Sequence, residues 1–138
     1  MKHKGYLFFA QFFSLSYLFN FLWESIHAYL FYAGHQNYSL GFYFRMVAYA
    51  ATMDALLILL LYLLVALFLR EIFWKNKKGY LLFFVFGLVL AAAIEYHAVF
   101  LASKWSYNAL MPTIFGIGIS PLIQLSMTGL FTLFLLKK

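Results

Sequence analysis

The sequence has no cysteine and is poor in charged residues and proline. Of its 138 residues, 10% are charged and two are proline, whereas 66% are hydrophobic and 23% are aromatic. Without cysteine the chain forms no disulfide, thiolate metal site, iron–sulfur cluster or cysteine nucleophile. In soluble domains roughly a quarter of residues are charged. The composition therefore predicts a polytopic membrane protein with no soluble domain.

The few charges are mostly positive, with ten Lys and Arg, four Asp and Glu, and a net charge of +6. A basic chain can bind nucleic acid, but these cations flank long apolar runs. Cations in that position set the topology of membrane proteins. We therefore expect membrane lipid as a partner and no nucleic acid.

Four apolar runs predict four spanning helices in a single transmembrane domain, at 5–32, 46–69, 79–103 and 111–136. The first run is longer than the apolar region of about 7–15 residues in a signal peptide, so we expect it to be retained. Short connections favour an all-α, up-down bundle of four transmembrane helices.

The distribution of cations predicts the orientation of this bundle. Eight of the ten fall on one side of the membrane and two on the other, which places both termini in the cytoplasm of a plasma or inner membrane. The eight are Lys2, Lys4, Arg70, Lys75, Lys77, Lys78, Lys137 and Lys138, and the two are Arg45 and Lys104. Trp74, in the basic loop, is expected at the level of the lipid headgroups.

Three of the four acids, Glu24, Asp54 and Glu95, fall inside predicted spans. An ionisable group near the middle of a membrane costs about 2.5–3.5 kcal/mol on insertion scales. Counted along the helices at about 1.5 Å per residue, these acids and Gln124 lie in one layer in the outer half of the bilayer. We expect the acids to face one another or a wet cavity.

The first span carries a polar stripe, because Asn20, Glu24 and His27 follow one another at i, i+4 and i+7. Glu24 and His27 have the i, i+3 spacing of carboxylate-bridged metal sites in helical bundles. A two-metal site of that kind needs a second copy of the motif, which the chain lacks. Two interpretations remain: a divalent metal held by Glu24, His27, Asp54 and Glu95, or a hydrogen bond between Glu24 and His27.

Other candidate residues lie around the layer. A bis-imidazole haem site would need His27 together with His97, and we do not expect haem. Trp105 and Tyr107 are typical of an aromatic belt at the membrane surface. They would also cover the outer mouth of the polar layer.

One resemblance involves Glu95, the pair Trp105-x-Tyr107, a glycine-containing run, and Pro121-Leu122-x-Gln124. This pattern resembles lycopene-cyclase-type small membrane domains, which carry an acid, a Trp-x-aromatic pair and a Pro-x-Glu-Glu motif at similar spacing. The resemblance covers about residues 95–124 and implies a helical fold that handles an isoprenoid chain. Ile123 and Gln124 stand where that family has paired glutamates, so its acid catalysis does not transfer to Gln124.

The leading hypothesis is a membrane enzyme, or enzyme subunit, acting on a lipid or isoprenoid that enters sideways from the outer leaflet. Glu24, Asp54 and Glu95 would be its catalytic acids and bases. The residues expected to bind substrate are Asn20, His27, Trp105, Tyr107 and Gln124. One alternative is a small homodimeric transporter in which Glu24 or Asp54 exchanges a proton. Another is an accessory subunit whose polar layer contacts a partner.

Overall fold

The computed structural model describes residues 2–136, with side chains from Gly5 onward. It contains four long helices, α1 (Lys2–Phe31), α2 (Leu40–Leu69), α3 (Lys77–Tyr96) and α4 (Ile119–Leu136). All four are long and apolar enough to cross a membrane. The chain is therefore an integral, multi-pass membrane protein, and the predicted all-α four-helix fold is confirmed.

The helices form a ring in chain order. α1 packs between α2 and α4, and α3 packs against α4 and α2. We call the end that holds Tyr32, Trp105 and Tyr107 the aromatic end, and the end that holds Arg70 and Lys75 the basic end. The side chains of Lys2 and Lys4, and residues Lys137 and Lys138, which entered the orientation argument, lie outside the described part of the chain.

The second helix begins at Leu40, earlier than the predicted residue 46. Ser39 caps it by accepting a hydrogen bond from the backbone N–H of Phe42 at 3.4 Å. Phe42, Tyr43 and Phe44 therefore lie in the first turns of α2. Asn76 caps α3 in the same way, accepting from the N–H of Gly79 at 2.8 Å.

The fourth helix begins at Ile119, and the predicted start at residue 111 is wrong. Before α4, strands β1 (Thr113–Ile114) and β2 (Ile117–Gly118) pair as an antiparallel hairpin. Its two loop residues, Phe115 and Gly116, have φ of 52° and 78°. Positive φ at both loop residues is typical of the type I′ turn, which matches the twist of strands in hairpins. Two successive left-handed residues cannot continue a right-handed helix. The helix therefore starts only after the hairpin.

The third helix ends in a π-helical turn, His97–Leu101, within the predicted span 79–103. The N–H of Lys104 bonds to the carbonyl of Ala98 at 2.8 Å and closes the turn. This turn leads the chain to Trp105 and Tyr107 at the aromatic end.

The half of the bundle near the basic end is filled by large apolar side chains. Trp74, Tyr62, Phe12, Phe83 and Leu133 are fully buried. The rings of Tyr62 and Trp74 stack with centroids 5.1 Å apart. Trp74 is thus buried inside the bundle rather than exposed at its surface. It fits inside because Gly79 has no Cβ, which would overlap the indole ring.

Candidate functional site

The polar stripe of α1 faces the interior of the bundle. Residue Asn20 is 0% exposed, and the side chains of His27 and Glu24 are 5% and 12% exposed. Because residues at i, i+4 and i+7 share one face of a helix, the rotation that buries Asn20 also carries Glu24 and His27 inward.

Gln124 of α4 joins two of the acids. Its Nε2 lies 2.8 Å from Glu24 Oε1 and 2.8 Å from Asp54 Oδ2. The same nitrogen lies 3.0 Å from Asn20 Oδ1. An amide nitrogen has two hydrogens, so it shares them among three acceptors from α1 and α2.

The carboxyl groups of Glu24 and Asp54 also lie next to each other and interact, since both are 2.8 Å from the same nitrogen of Gln124. Ionised carboxylates only accept hydrogen bonds. A proton on one of the two groups turns this contact into a hydrogen bond and removes the repulsion between two neighbouring charges. We call Glu24 and Asp54 the carboxyl pair.

A ladder of polar side chains continues from the pair toward the basic end. Asn20 Nδ2 donates to the carbonyl of Ser16 at 2.8 Å and to Thr128 Oγ1 at 3.1 Å. Ser16 Oγ in turn lies 3.4 Å from Thr132 Oγ1. Each of these buried groups has a partner, so the ladder joins α1 to α4.

His27 occupies the opposite side of Glu24, toward the aromatic end. Its Nδ1 lies 3.3 Å from Ser120 Oγ in the first turn of α4. Its Nε2 lies 3.7 Å from Glu24 Oε2, and among the described residues this buried nitrogen makes no hydrogen bond. The expected contact between Glu24 and His27 is therefore longer than a hydrogen bond.

Glu95 of α3 belongs to a second cluster. Its side chain is buried, and its Oε2 accepts from Tyr107 O–H at 2.5 Å and from Trp105 Nε1–H at 3.3 Å. Both bonds use the same oxygen, which leaves Oε1 for another ligand. Burial raises the pKa of Tyr107, and the bond to Glu95 raises it further, so the phenol remains a donor at neutral pH.

Tyr32, at the end of α1, lies between the two aromatic partners of Glu95. Its ring stacks on those of Trp105 and Tyr107, with both centroids 5.9 Å away. Backbone bonds fix the position, from Ala33 N–H to Ser106 O at 2.9 Å and from Asn108 N–H to Phe31 O at 2.8 Å. Burial raises the pKa of the Tyr32 phenol well above its usual value. Trp105 and Tyr107 therefore belong to a fixed aromatic cover.

A cavity of about 390 Å³ lies beneath this cover and is lined by side chains from all four helices. Its polar walls are the carboxyl pair, Glu95 and Gln124. Most of the other walls are apolar: Ala28, Met46, Ala50, Met53, Leu57, Ala91, Ile94, Pro121 and Leu125. His35 and Lys104 line it at the aromatic end. On α2 the cavity reaches the surface, where Tyr49 and Met53 are 70% and 42% exposed.

The structure thus brings Asn20, Glu24, Asp54 and Gln124 into direct contact, and groups Glu95 with Trp105 and Tyr107. Within residues 2–136, no three His, Asp or Glu side chains lie close enough together to hold one metal ion. His97 is exposed on the π-helical turn.

Sequence reasoning missed three contributors, Ser16, Thr132 and Tyr32. Ser16 lies four residues before Asn20 and Thr132 four after Thr128, so helical spacing could have found both. Tyr32 gave no signal, because an aromatic residue at a helix end is equally typical of the membrane surface. No protein-family model, curated protein or solved structure matches the chain.

Proposed function

We propose that the protein is a membrane-embedded enzyme, or enzyme subunit, that acts on a lipid or isoprenoid by acid and base catalysis. The observation that carries this proposal is the 390 Å³ cavity, in which apolar walls meet three carboxyl groups. Ligand sites are typically apolar cavities with a few convergent polar groups. A hydrocarbon chain suits the walls, and the carboxyl groups supply the chemistry.

The carboxyl pair suits proton transfer in both directions. When Glu24 and Asp54 share one proton, one group donates a proton to the substrate and the other accepts one. Gln124 holds both groups at 2.8 Å, so their orientation is fixed before the substrate arrives. Positioned acids and bases contribute about 10²–10⁴-fold to a rate. Oε1 of Glu95 would orient the substrate from the opposite wall.

Entry from the side supports a lipid substrate. The aromatic cover lies over the cavity toward the aromatic end, and exposed Tyr49 and Met53 border the cavity along α2. The apolar lining includes Met53 and Leu57 of α2 and Ala91 and Ile94 of α3. We propose that the substrate enters between α2 and α3.

The isoprenoid class is favoured by the residues that resemble lycopene-cyclase-type domains. Glu95, Trp105 and Gln124 line the cavity, and Tyr107 bonds to Glu95. The transporter alternative needs a path to the basic end. There the ring of Phe83 and the side chains of Ile58 and Leu133 are fully buried in a continuous core, which favours the enzyme.

Blocking the cavity tests the proposal. Ala50 lines the cavity and makes no side-chain hydrogen bond, so Ala50→Trp should fill it without removing a polar group. Native mass spectrometry of protein purified from membranes should find a lipid or isoprenoid on the wild type and not on Ala50→Trp. Ala93→Trp, at an exposed position of α3, is the matched control and should retain the lipid. Equal retention by both variants, or no lipid on the wild type, would count against the proposal.

We also propose that both termini lie in the cytoplasm, with the aromatic end outside. Single cysteines at Asn37 and Ala109 should react with an impermeant thiol reagent added to intact cells, and one at Lys75 should not. All three positions are exposed. The reason is the bias of cations toward the basic end. Labelling at position 75 alone would show that the orientation is opposite to the one proposed.

A further inference from the structure

His27 and Ser120 connect the carboxyl pair with the surface at the aromatic end. Ser120 is partly exposed in the first turn of α4. Its Oγ lies 3.3 Å from His27 Nδ1, and His27 Nε2 lies 3.7 Å from Glu24 Oε2. The imidazole therefore has a different oxygen group at each of its two nitrogens.

We infer that His27 and Ser120 form a proton-transfer path between the aqueous surface at the aromatic end and the carboxyl pair. This inference rests on the proposed function only in treating the pair as an acid that must regain its proton. Imidazole suits the role because one nitrogen accepts a proton while the other releases one.

A hydronium ion gives a proton to Ser120 Oγ, whose own hydroxyl proton passes to His27 Nδ1. Rotation of the Glu24 carboxyl group first closes the 3.7 Å gap to His27 Nε2. The proton on Nε2 then passes to Glu24 Oε2, which changes from carboxylate to carboxylic acid. Water is released at the surface and the imidazole stays neutral, with its proton moved from Nε2 to Nδ1. Rotation of the ring restores the starting tautomer.

Other routes to the pair are poorer. The walls of the cavity are largely apolar. The ladder through Asn20 and Ser16 ends at the core near Leu133. The remaining groups that face His27 are Tyr32, whose ring centroid lies 4.8 Å away, and His35, whose ring centroid lies 5.2 Å from that of Tyr32.

Ser120, His27 and Glu24 also have the connectivity of a serine nucleophile triad. Ser120 is not among the described side chains that line the cavity. Pro121, the next residue, has no N–H with which to stabilise an oxyanion. The geometry therefore favours proton transfer over nucleophilic attack.

Hydrogen–deuterium exchange of the carboxyl groups tests the path without any substrate. The full-length protein in nanodiscs is moved into D₂O, and the carbonyl band of protonated carboxyl groups is followed by time-resolved infrared spectroscopy. Glu24→Gln and Asp54→Asn identify the band. We expect Ser120→Ala to slow its exchange about tenfold or more. Ser120→Thr, which keeps the hydroxyl, should restore the rate.

His27→Gln should slow the exchange like Ser120→Ala, and His97→Gln, which changes an exposed histidine, should not. Exchange at the wild-type rate in Ser120→Ala would overturn the inference. So would equal slowing in Ser120→Thr, or the lack of a band that depends on Glu24 or Asp54. If His27→Gln does not fold, the exchange rates of Ser120→Ala and Ser120→Thr alone test the path. The two proposals can fail separately. If no lipid is found on the wild type but Ser120→Ala slows the exchange, the proposed enzyme is rejected and the proton-transfer path is supported.

Discussion

The two halves of the bundle use the same four helices for different purposes. Near the basic end, Phe12, Tyr62, Trp74 and Phe83 fill the interior. Toward the aromatic end the interior holds a cavity and three carboxyl groups instead. The comparison indicates that packing at the basic end holds the fold, and that this stability permits a costly polar site in the other half.

Close helix contacts explain the stability of the basic half. Apolar burial does not drive helices together inside lipid, so packing and hydrogen bonds hold them. Phe83 of α3 packs on Gly129 of α4, where a Cβ would lie 2.5 Å from the ring. Nearby, Ser126 Oγ donates to the carbonyl of Phe84 at 2.8 Å. α3 and α4 therefore approach closely over a stretch that contains no acid.

The largest loss of stability is expected from Phe83→Ala. It removes a fully buried ring from the contact between α3 and α4, and such changes cost about 3–5 kcal/mol of unfolding free energy. Unfolding by SDS in mixed micelles measures the effect. Val85→Ala, at a 43% exposed position of the same helix, should change stability by less than about 0.5 kcal/mol. If the two variants lowered the free energy of unfolding equally, packing at the basic end would not be what holds the fold.

A smaller loss is expected from Tyr107→Phe, which keeps the ring stack on Tyr32 and removes the hydroxyl bound to Glu95. A hydrogen bond to a buried acid contributes about 1–3 kcal/mol. The same micelle titration measures the loss, with Tyr96→Phe, at an exposed neighbour of Glu95, as the control. No loss relative to Tyr96→Phe would mean that Tyr107 does not hold Glu95.

The pH dependence of Tyr107→Phe sharpens this result. The pKa of Tyr107 is raised in the folded protein by burial and by Glu95, whereas an unfolded chain ionises tyrosine near about pH 10. The stabilisation is thus present below that pH and is lost as pH rises beyond it. The wild type should lose stability above about pH 10 more steeply than Tyr107→Phe.

Much of the fold followed from the sequence, because span length and cation placement fix where helices cross a membrane. Depth along the helices also placed Glu24, Asp54 and Gln124 in one layer, where hydrogen bonds join them. Depth does not fix rotation about a helix axis. The sequence therefore could not tell that Asp54 meets Glu24 while Glu95 turns toward Trp105 and Tyr107.

The hairpin before α4 was missed for a local reason. Ile114, Phe115 and Ile117 continue an apolar run that reads as the start of a helix. Phe115 tolerates a left-handed conformation only beside Gly116 in the turn. A Phe-Gly pair is a weak turn signal compared with Asn-Gly, so propensity did not reveal the hairpin.

The melting temperature of Asp54→Asn in detergent, measured together with its activity, tests the central claim most directly. The variant keeps a side-chain oxygen for Gln124 and removes an ionisable group from the membrane interior. We predict a melting temperature equal to or above that of the wild type, with conversion of the bound lipid reduced about 10²–10⁴-fold. Glu71→Gln, at an exposed acid outside the layer, should change neither. A lower melting temperature with full activity in the remaining folded protein would show that the polar layer holds the fold, and would contradict the account.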